Sequence, residues 1–157
     1  GRVYGLMSYP YRNTGTLRGA WTGSTAANIV LDVIDMIDAL EADNKYGPYG
    51  LIIPRNYMTL LRKDYDRTTS LGSSVMKRLM EIEGLRFIKS NTFMPADSVV
   101  LLDLNSDTAE AIEGIQPKLI EWTSGDAMST MFKVIACILP RVKRDNDNNC
   151  GIAHFIP

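Results

Sequence analysis

The chain has 157 residues, 45% of them hydrophobic and 22% charged, a balance that supports one domain with a sizeable core and excludes an intrinsically disordered chain. Its 17 basic and 18 acidic residues leave a formal charge of -1, so no global field gathers nucleic acid or an anionic membrane. No apolar stretch approaches the roughly 20 residues that cross a bilayer and no basic-then-apolar leader opens the chain, which leads us to expect a soluble protein.

From Gly1 to Gly23, glycines at 1, 5, 15, 19 and 23 alternate with Tyr4, Tyr9, Tyr11 and Trp21, a pattern that predicts an irregular connection held down by aromatic anchors. Ser24 or Thr25 can cap a helix running to about Ala42. Within it Ala26, Ile29, Val30, Val33, Ile37 and Leu40 recur at steps of three and four on one buried stripe. Gly47 and Pro48 form a turn into a strand from Tyr49 to Ile53. Pro54 ends that strand and, because proline costs no hydrogen bond in a first helical turn, a short helix carrying Tyr57, Leu60 and Leu61 follows directly. Lys63 to Ser70 reads as a polar loop, and a third helix over Ser73 to Glu83 presents Val75, Leu79 and Ile82 before Gly84 stops it.

Leu85 to Ser90 and Ser98 to Leu104 read as strands joined by the loop NTFMPAD, with Pro95 and Asp97 setting the turn. Val99 to Leu102 is apolar at every position, as in a strand covered on both faces. A further strand over Ile115 to Trp122 contains Pro117, whose missing N–H confines it to an edge or a bulge. Gly125 breaks the pattern, and Met128 to Arg144 is extended far beyond the usual five or six or so residues, which predicts a strand passing through more than one sheet environment. The polar tract Asp145 to Asn149 turns the chain into a last strand, Gly151 to Ile156. Helices and strands mingle without regular βαβ alternation, so the fold class is α+β.

Little in this pattern resembles a chemical site. Asp32, Asp35, Asp38 and Glu41 precess around the first helix opposite its apolar stripe with no histidine beside them, which favours a solvated acidic face over a metal ridge. Asp145, Asp147 and Asn149 open like a calcium loop, but Gly151 arrives one place late and Ile156 stands where the bidentate glutamate belongs, so a hairpin turn is the better reading. Gly15, Gly19 and Gly23 ahead of Ser24 and Thr25 lack both the lysine and the preceding strand of a phosphate cradle. The single histidine, His154, has no nucleophile or acid arranged around it in the pattern, and Ser70, Ser73 and Ser74 are loop and cap residues. Cys137 in an apolar strand and Cys150 beside a polar turn make neither a metal pair nor a disulfide framework, which points to a reducing compartment. Neither a cofactor nor a metal is expected. Arg62, Lys63 and Arg67, and likewise Arg141, Lys143 and Arg144, are interleaved with Asp64, Asp66, Asp145 and Asp147. Mixed charge of this kind suits salt-bridged subunit contacts or an ordinary surface better than a groove that tracks phosphates.

The succession of features is more informative than any one of them. The helix after Ser24 is followed by GPYGLIIP at Gly47 to Pro54, the Tyr57 helix, the helix over Leu71 to Ile82 and GLRFIKSNTF at Gly84 to Phe93. VVLLDL, IQPKLIEW and the long strand returning through CGIAHF complete the order. This succession resembles the tailed-phage major capsid proteins of the Hong Kong 97 type and the related encapsulin shell proteins, with GPYGLIIP the sharpest match. The likeness covers nearly the whole chain and lies in the order of elements.

That resemblance implies a mixed sheet flanked by helices as an axial domain over residues 24–127. Residues 1–23 would be an irregular connecting segment, and 128–157 a long strand and its return toward a peripheral-domain remnant. Family members begin with an amino-terminal arm, an extended loop and a spine helix that Gly1 to Gly23 does not supply, so the chain is expected to match the carboxy-terminal part of such a protein. The implied function is structural: a self-assembling subunit of an icosahedral phage or prophage shell around its genome, built in the host cytoplasm and resident in the virion. An encapsulin-type compartment enclosing protein cargo is the alternative, and a small enzyme the second. Its implied partners are copies of itself in pentameric or hexameric capsomers and weakly, non-specifically held nucleic acid, with no membrane. Subunit contacts are expected from the axial loops, at Tyr65, Arg67 and Leu71 in one and at Phe93 and Met94 in the other. For Phe93 and Met94 the competing expectation is that they fold back onto their own core.

Overall fold

The computed structural model describes residues 4–63, 73–125 and 128–157. Helix α1 (Ala26–Ala42) forms where the apolar stripe predicts it, with the Thr25 hydroxyl accepting from the Asn28 amide at 3.3 Å as its cap. Ile29, Val33, Met36, Ile37 and Leu40 are buried along one side. Strand β2 (Tyr49–Pro54) runs without a break into α2 (Arg55–Leu61), which buries Tyr57 and Leu61. Helix α3 (Val75–Met80) starts at the Ser74 cap and is shorter than the sequence suggests. The chain turns early because Gly84, at φ 85°, lies against the Tyr49 ring and its carbonyl accepts from the Tyr49 amide at 2.8 Å.

A five-stranded mixed sheet carries the core. Its order is β1 (Asn13–Thr16), β7 (Ile152–Ile156), β4 (Val99–Asp103), β2 and β3 (Leu85–Asn91). The outer pairs β1/β7 and β2/β3 are parallel, whereas β4 is antiparallel to both neighbours. Central β4 explains its own continuous apolar run. Val99 and Leu101 face the helices with Leu51, Ile53, Ala153 and Phe155. Val100 faces the opposite side, where Met94, Cys150 and Ile152 are joined by Leu6, Met7 and Tyr9 from the amino-terminal segment.

Two expectations need correcting. The segment before Gly23 contains strand β1, which a sequence of Asn, Thr, Gly and Thr does not announce because it has no apolar alternation. Its ladder with β7 defines it, and Gly15 makes that approach feasible, since a Cβ there would sit 2.5 Å from the Phe155 ring. The return strand β7, read as running outward with the long strand, lies second in the core sheet because Ile152, Ala153 and Phe155 match the buried faces of β4.

The remaining strands stand apart. β5 (Ala109–Thr123) and β6 (Thr130–Val142) form a separate two-stranded antiparallel ribbon. β5 begins six residues before the expected Ile115, at Ala109, and its register shifts on either side of Ile115 accommodate the proline-induced bulge. β6 pairs with β5 alone, not with several sheets.

Asp32 is also not on a solvated face. It is 1% exposed, and its carboxylate accepts from the Trp21 indole N–H at 2.9 Å, the Arg18 amide at 3.1 Å and the Arg18 guanidinium at 3.0 Å. Trp21 stacks on Tyr57 with ring centroids 5.1 Å apart, and burying the indole requires an acceptor for its N–H. Asp35, by contrast, is half-exposed and meets Arg18 at 2.6 Å. Removing the buried carboxylate takes the acceptor from the Trp21 indole and the Arg18 amide, so Asp32→Ala should lower unfolding free energy by about 3 kcal/mol, against less than about 0.5 kcal/mol for the exposed Asp38→Ala. Urea denaturation of the two variants measures the difference.

Candidate interaction surface

The register of the ribbon decides which side chains share a face. Trp122 stands opposite Met131, Ile120 opposite Lys133, Lys118 opposite Ile135, Ile115 opposite Cys137 and Ile112 opposite Leu139, all on one side. Leu119 with Val134, Glu121 with Phe132 and Glu113 with Ile138 occupy the other. A strand with one buried face alternates apolar and polar residues, but this ribbon carries exposed apolar side chains on both faces, interspersed with Lys118, Lys133, Glu113 and Glu121. Trp122 is 47% exposed, Phe132 61%, Val134 68% and Leu119 58%. Among the described residues β5 and β6 lie against no other helix or strand except at Val142, which packs beside Val100 and Ile152. A lone two-stranded ribbon is marginal in water, and a contiguous exposed apolar surface marks an interaction site. The pair reaches roughly 40 Å at the usual rise of a strand.

Its root is tied firmly to the sheet. The buried Asp103 carboxylate accepts from the Thr108 hydroxyl at 3.0 Å and from the Asn105 side-chain amide at 2.9 Å, while the Lys143 amide donates to the Thr108 carbonyl at 2.9 Å. Gly151 lies so close to this knot that a Cβ would stand 2.8 Å from that of Asp103. Across the ribbon base Glu110 meets Arg141 at 3.2 Å and Lys143 at 2.7 Å. The Lys143 hydrogen bond, followed by the charges of Lys143 and Arg141, holds the Glu110 carboxyl below its ordinary range despite partial desolvation. These two cations, read as candidates for contacts between subunits, are thus paired within the chain. Arg144 lies over the Tyr11 ring at 4.3 Å. Asp145 uses its carboxylate to accept from the Asp147 amide at 3.0 Å and the Asn149 amide at 2.8 Å, closing a turn. That turn is not a hairpin, because β6 and β7 lie in different sheets.

The anticipated contact residues are placed differently from one another. Tyr65, Arg67 and Leu71 lie outside the described residues. Phe93, at the tip of the loop between β3 and β4, is 93% exposed, and its amide donates to the Asn91 side chain at 2.9 Å. Met94, its neighbour, is 9% exposed and turns into the second core cluster beside Val100 and Ile152. Phe93 alone of this pair is available to another molecule. The end of the loop is pinned by the Tyr57 hydroxyl, which donates to Asp97 at 2.6 Å. Burial, then this hydrogen bond, pushes the Tyr57 phenol well up from its usual value. Asp97 adopts φ 63°, consistent with the turn role read from the sequence.

A Ser98–His154 contact, invisible in the sequence because the residues are 56 positions apart, superficially resembles a nucleophile and base at 2.6 Å. His154 Nδ1, however, accepts from Arg12 Nε at 3.1 Å, so the ring proton belongs on Nε2, where it is donated to Ser98. The ring has no free lone pair with which to take the serine proton. Burial first and Arg12 second push the imidazole below its ordinary value, which keeps it neutral. An open crevice of about 370 Å³ between the amino-terminal segment and the sheet is lined mainly by apolar groups, including Leu6, Met7, Ile52, Met94 and Val100. Among the described residues no three acidic, histidine or cysteine side chains are placed to hold a metal ion, and no helix is long and apolar enough to cross a membrane.

Two solved structures share this fold. The virus-like particle from Pyrococcus furiosus matches 96% of this chain with a TM-score of 0.72 at 23% identity. The capsid of Myoviridae phage XM1 matches 99% of it with a TM-score of 0.77 at 13% identity. The chain has a capsid-like fold. It spans 58% and 54% of those two chains, little more than half of each. No protein-family model and no curated protein matches its sequence. Among the described residues the ribbon carries most of the exposed large apolar side chains.

If the ribbon faces serve contact rather than folding, Trp122→Ser combined with Phe132→Ser should leave the unfolding free energy within about 0.5 kcal/mol of the parent while reducing self-association. Chemical denaturation and sedimentation velocity on the same samples separate the two effects.

Proposed function

We propose that this chain is a subunit of a self-assembling protein shell, specifically a phage or prophage major capsid protein of the Hong Kong 97 type. The observation that carries the reading is a ribbon with exposed apolar side chains on both faces in a single copy, attached to a capsid-like fold. Such a protein acts mechanically. One surface of each copy engages a different surface of the next, and rotation closes the series into pentameric or hexameric capsomers. The five-stranded unit then serves as the axial part and the ribbon as the peripheral arm, with Phe93 near the capsomer axis and Tyr65, Arg67 and Leu71 as further subunit contacts. A net charge of -1 suits weak, non-specific contact with the packaged genome. The shell is assembled in the host cytoplasm and becomes the virion wall.

An encapsulin-type compartment enclosing protein cargo is the competing outcome, and the contents of the particle distinguish the two. The whole gene product, expressed and imaged by electron microscopy, is expected to yield closed particles of uniform size that retain nucleic acid after nuclease treatment of the exterior. Closed particles holding a cargo protein and no nucleic acid would replace the phage reading with the compartment reading. Monomers at every concentration would contradict both.

A further inference from the structure

His154 is the chain's single histidine and occupies β7 between β1 and β4, opposite Thr14 on one side and Val100 on the other. Its two ring nitrogens bind two different parts of the molecule. Nδ1 accepts from Arg12 Nε at 3.1 Å, and Arg12 in turn donates to the Tyr9 carbonyl at 2.8 Å. Nε2 meets the Ser98 hydroxyl at 2.6 Å, and that hydroxyl reaches Met7 Sδ at 3.9 Å. One imidazole therefore orders Met7, Tyr9 and Arg12 against the second face of the sheet.

The directions of the hydrogen bonds from Arg12 through His154 and Ser98 to Met7 depend on one lone pair. With Nδ1 accepting, Nε2–H must donate to Ser98, and the Ser98 proton is then free to point at Met7. A second proton on Nδ1 would set a donor against the Arg12 donor and a positive charge beside a guanidinium. We propose that His154 is a proton-operated latch that seats the amino-terminal segment, residues 4–16, on the sheet while neutral and releases it when protonated.

Among the described residues the surroundings of the ring offer no charge to offset the added proton. The N-terminal segment contributes Arg12 and Met7, β1 contributes Thr14, β4 contributes Ser98 and Val100, and Arg12 is the charged group that acts on the imidazole. Asp43, the carboxylate near β1, is engaged by the Asn13 side chain at 2.7 Å. Cys150 donates to the Tyr11 carbonyl at 3.2 Å, and burial raises its thiol, so it stays neutral and takes no part in the titration. The sign follows from linkage. The seated form holds His154 below its ordinary value of 6.5 and the released form restores that value, so seating is strongest above it and weakens as pH falls beneath it. Release is local, because α1, β2 and β4 keep their own contacts, and it uncovers the cluster of Met94, Val100 and Ile152. The latch stands whether or not the shell reading does.

Amide hydrogen exchange on the full chain between about pH 8 and about pH 5, corrected for intrinsic rates, tests it. Protection of residues 4–16 should fall below the histidine's ordinary range while α1 stays protected. His154→Gln, whose amide can accept from Arg12 and donate to Ser98 at every pH, should abolish that dependence. Protection that is independent of pH in the parent chain, or the same loss in the variant, would overturn the proposal. Nitrogen chemical shifts of the parent's imidazole at neutral pH give a check that needs no variant: a proton on Nε2 is expected, and a proton on Nδ1 would refute the latch.

Discussion

Apart from Val142, which packs beside Val100 and Ile152, strands β5 and β6 find little cover among the described residues beyond each other, and that constraint governs how the ribbon is held. Apolar surface is driven from water at roughly 25 cal/mol per Å², so a ribbon bearing Trp122, Phe132, Val134 and Leu119 in the open is stable in position only if something else holds it there. Here the core does so. Asp103, Thr108 and Gly151 lock the base of the ribbon to β4 and β7, while Glu110 clamps Arg141 and Lys143 across it. A self-sufficient sheet with helices on one face thereby carries an arm whose own burial is incomplete.

The same division explains why charge is used so differently across the chain. Inside, Asp32 and Asp103 each satisfy several donors and are nearly inaccessible, so their role is to fix segments that have few apolar residues of their own. Asp32 fastens the glycine-rich stretch around Arg18 and Trp21, and Asp103 fastens the exit to the ribbon. At the ribbon base Arg141 and Lys143 are paired with Glu110 within the chain, while the exposed apolar side chains of the ribbon and Phe93 stand open to neighbours.

Legibility in the sequence followed the strength of local periodicity. The stripe from Ile29 to Leu40, the uninterrupted Val99 to Leu102 and the proline that bulges β5 each report a structural cause within a few residues, and all are found in place. β1 was not legible because Asn13 to Thr16 takes its conformation from β7, about 140 positions away in the chain. Asp32 read as exposed because a helical pattern describes its own face and not the Trp21 that later covers it. Phe93 and Met94 are adjacent and both apolar, and only the fold of the loop sends one outward and the other into the core. The surface with the strongest claim to function was present as a long extended run, but its partnering with β5 alone could not be read from hydropathy, since a strand buried on both faces looks the same.

Tryptophan quenching tests the central claim that the ribbon faces become covered when copies meet. Of the two tryptophans, Trp21 is 1% exposed and Trp122 is 47% exposed, so acrylamide should reach Trp122 in the isolated chain. The account predicts that the quenchable fraction disappears and the emission moves to shorter wavelength as particles form. Particles in which Trp122 remains as accessible as in the isolated chain would contradict it.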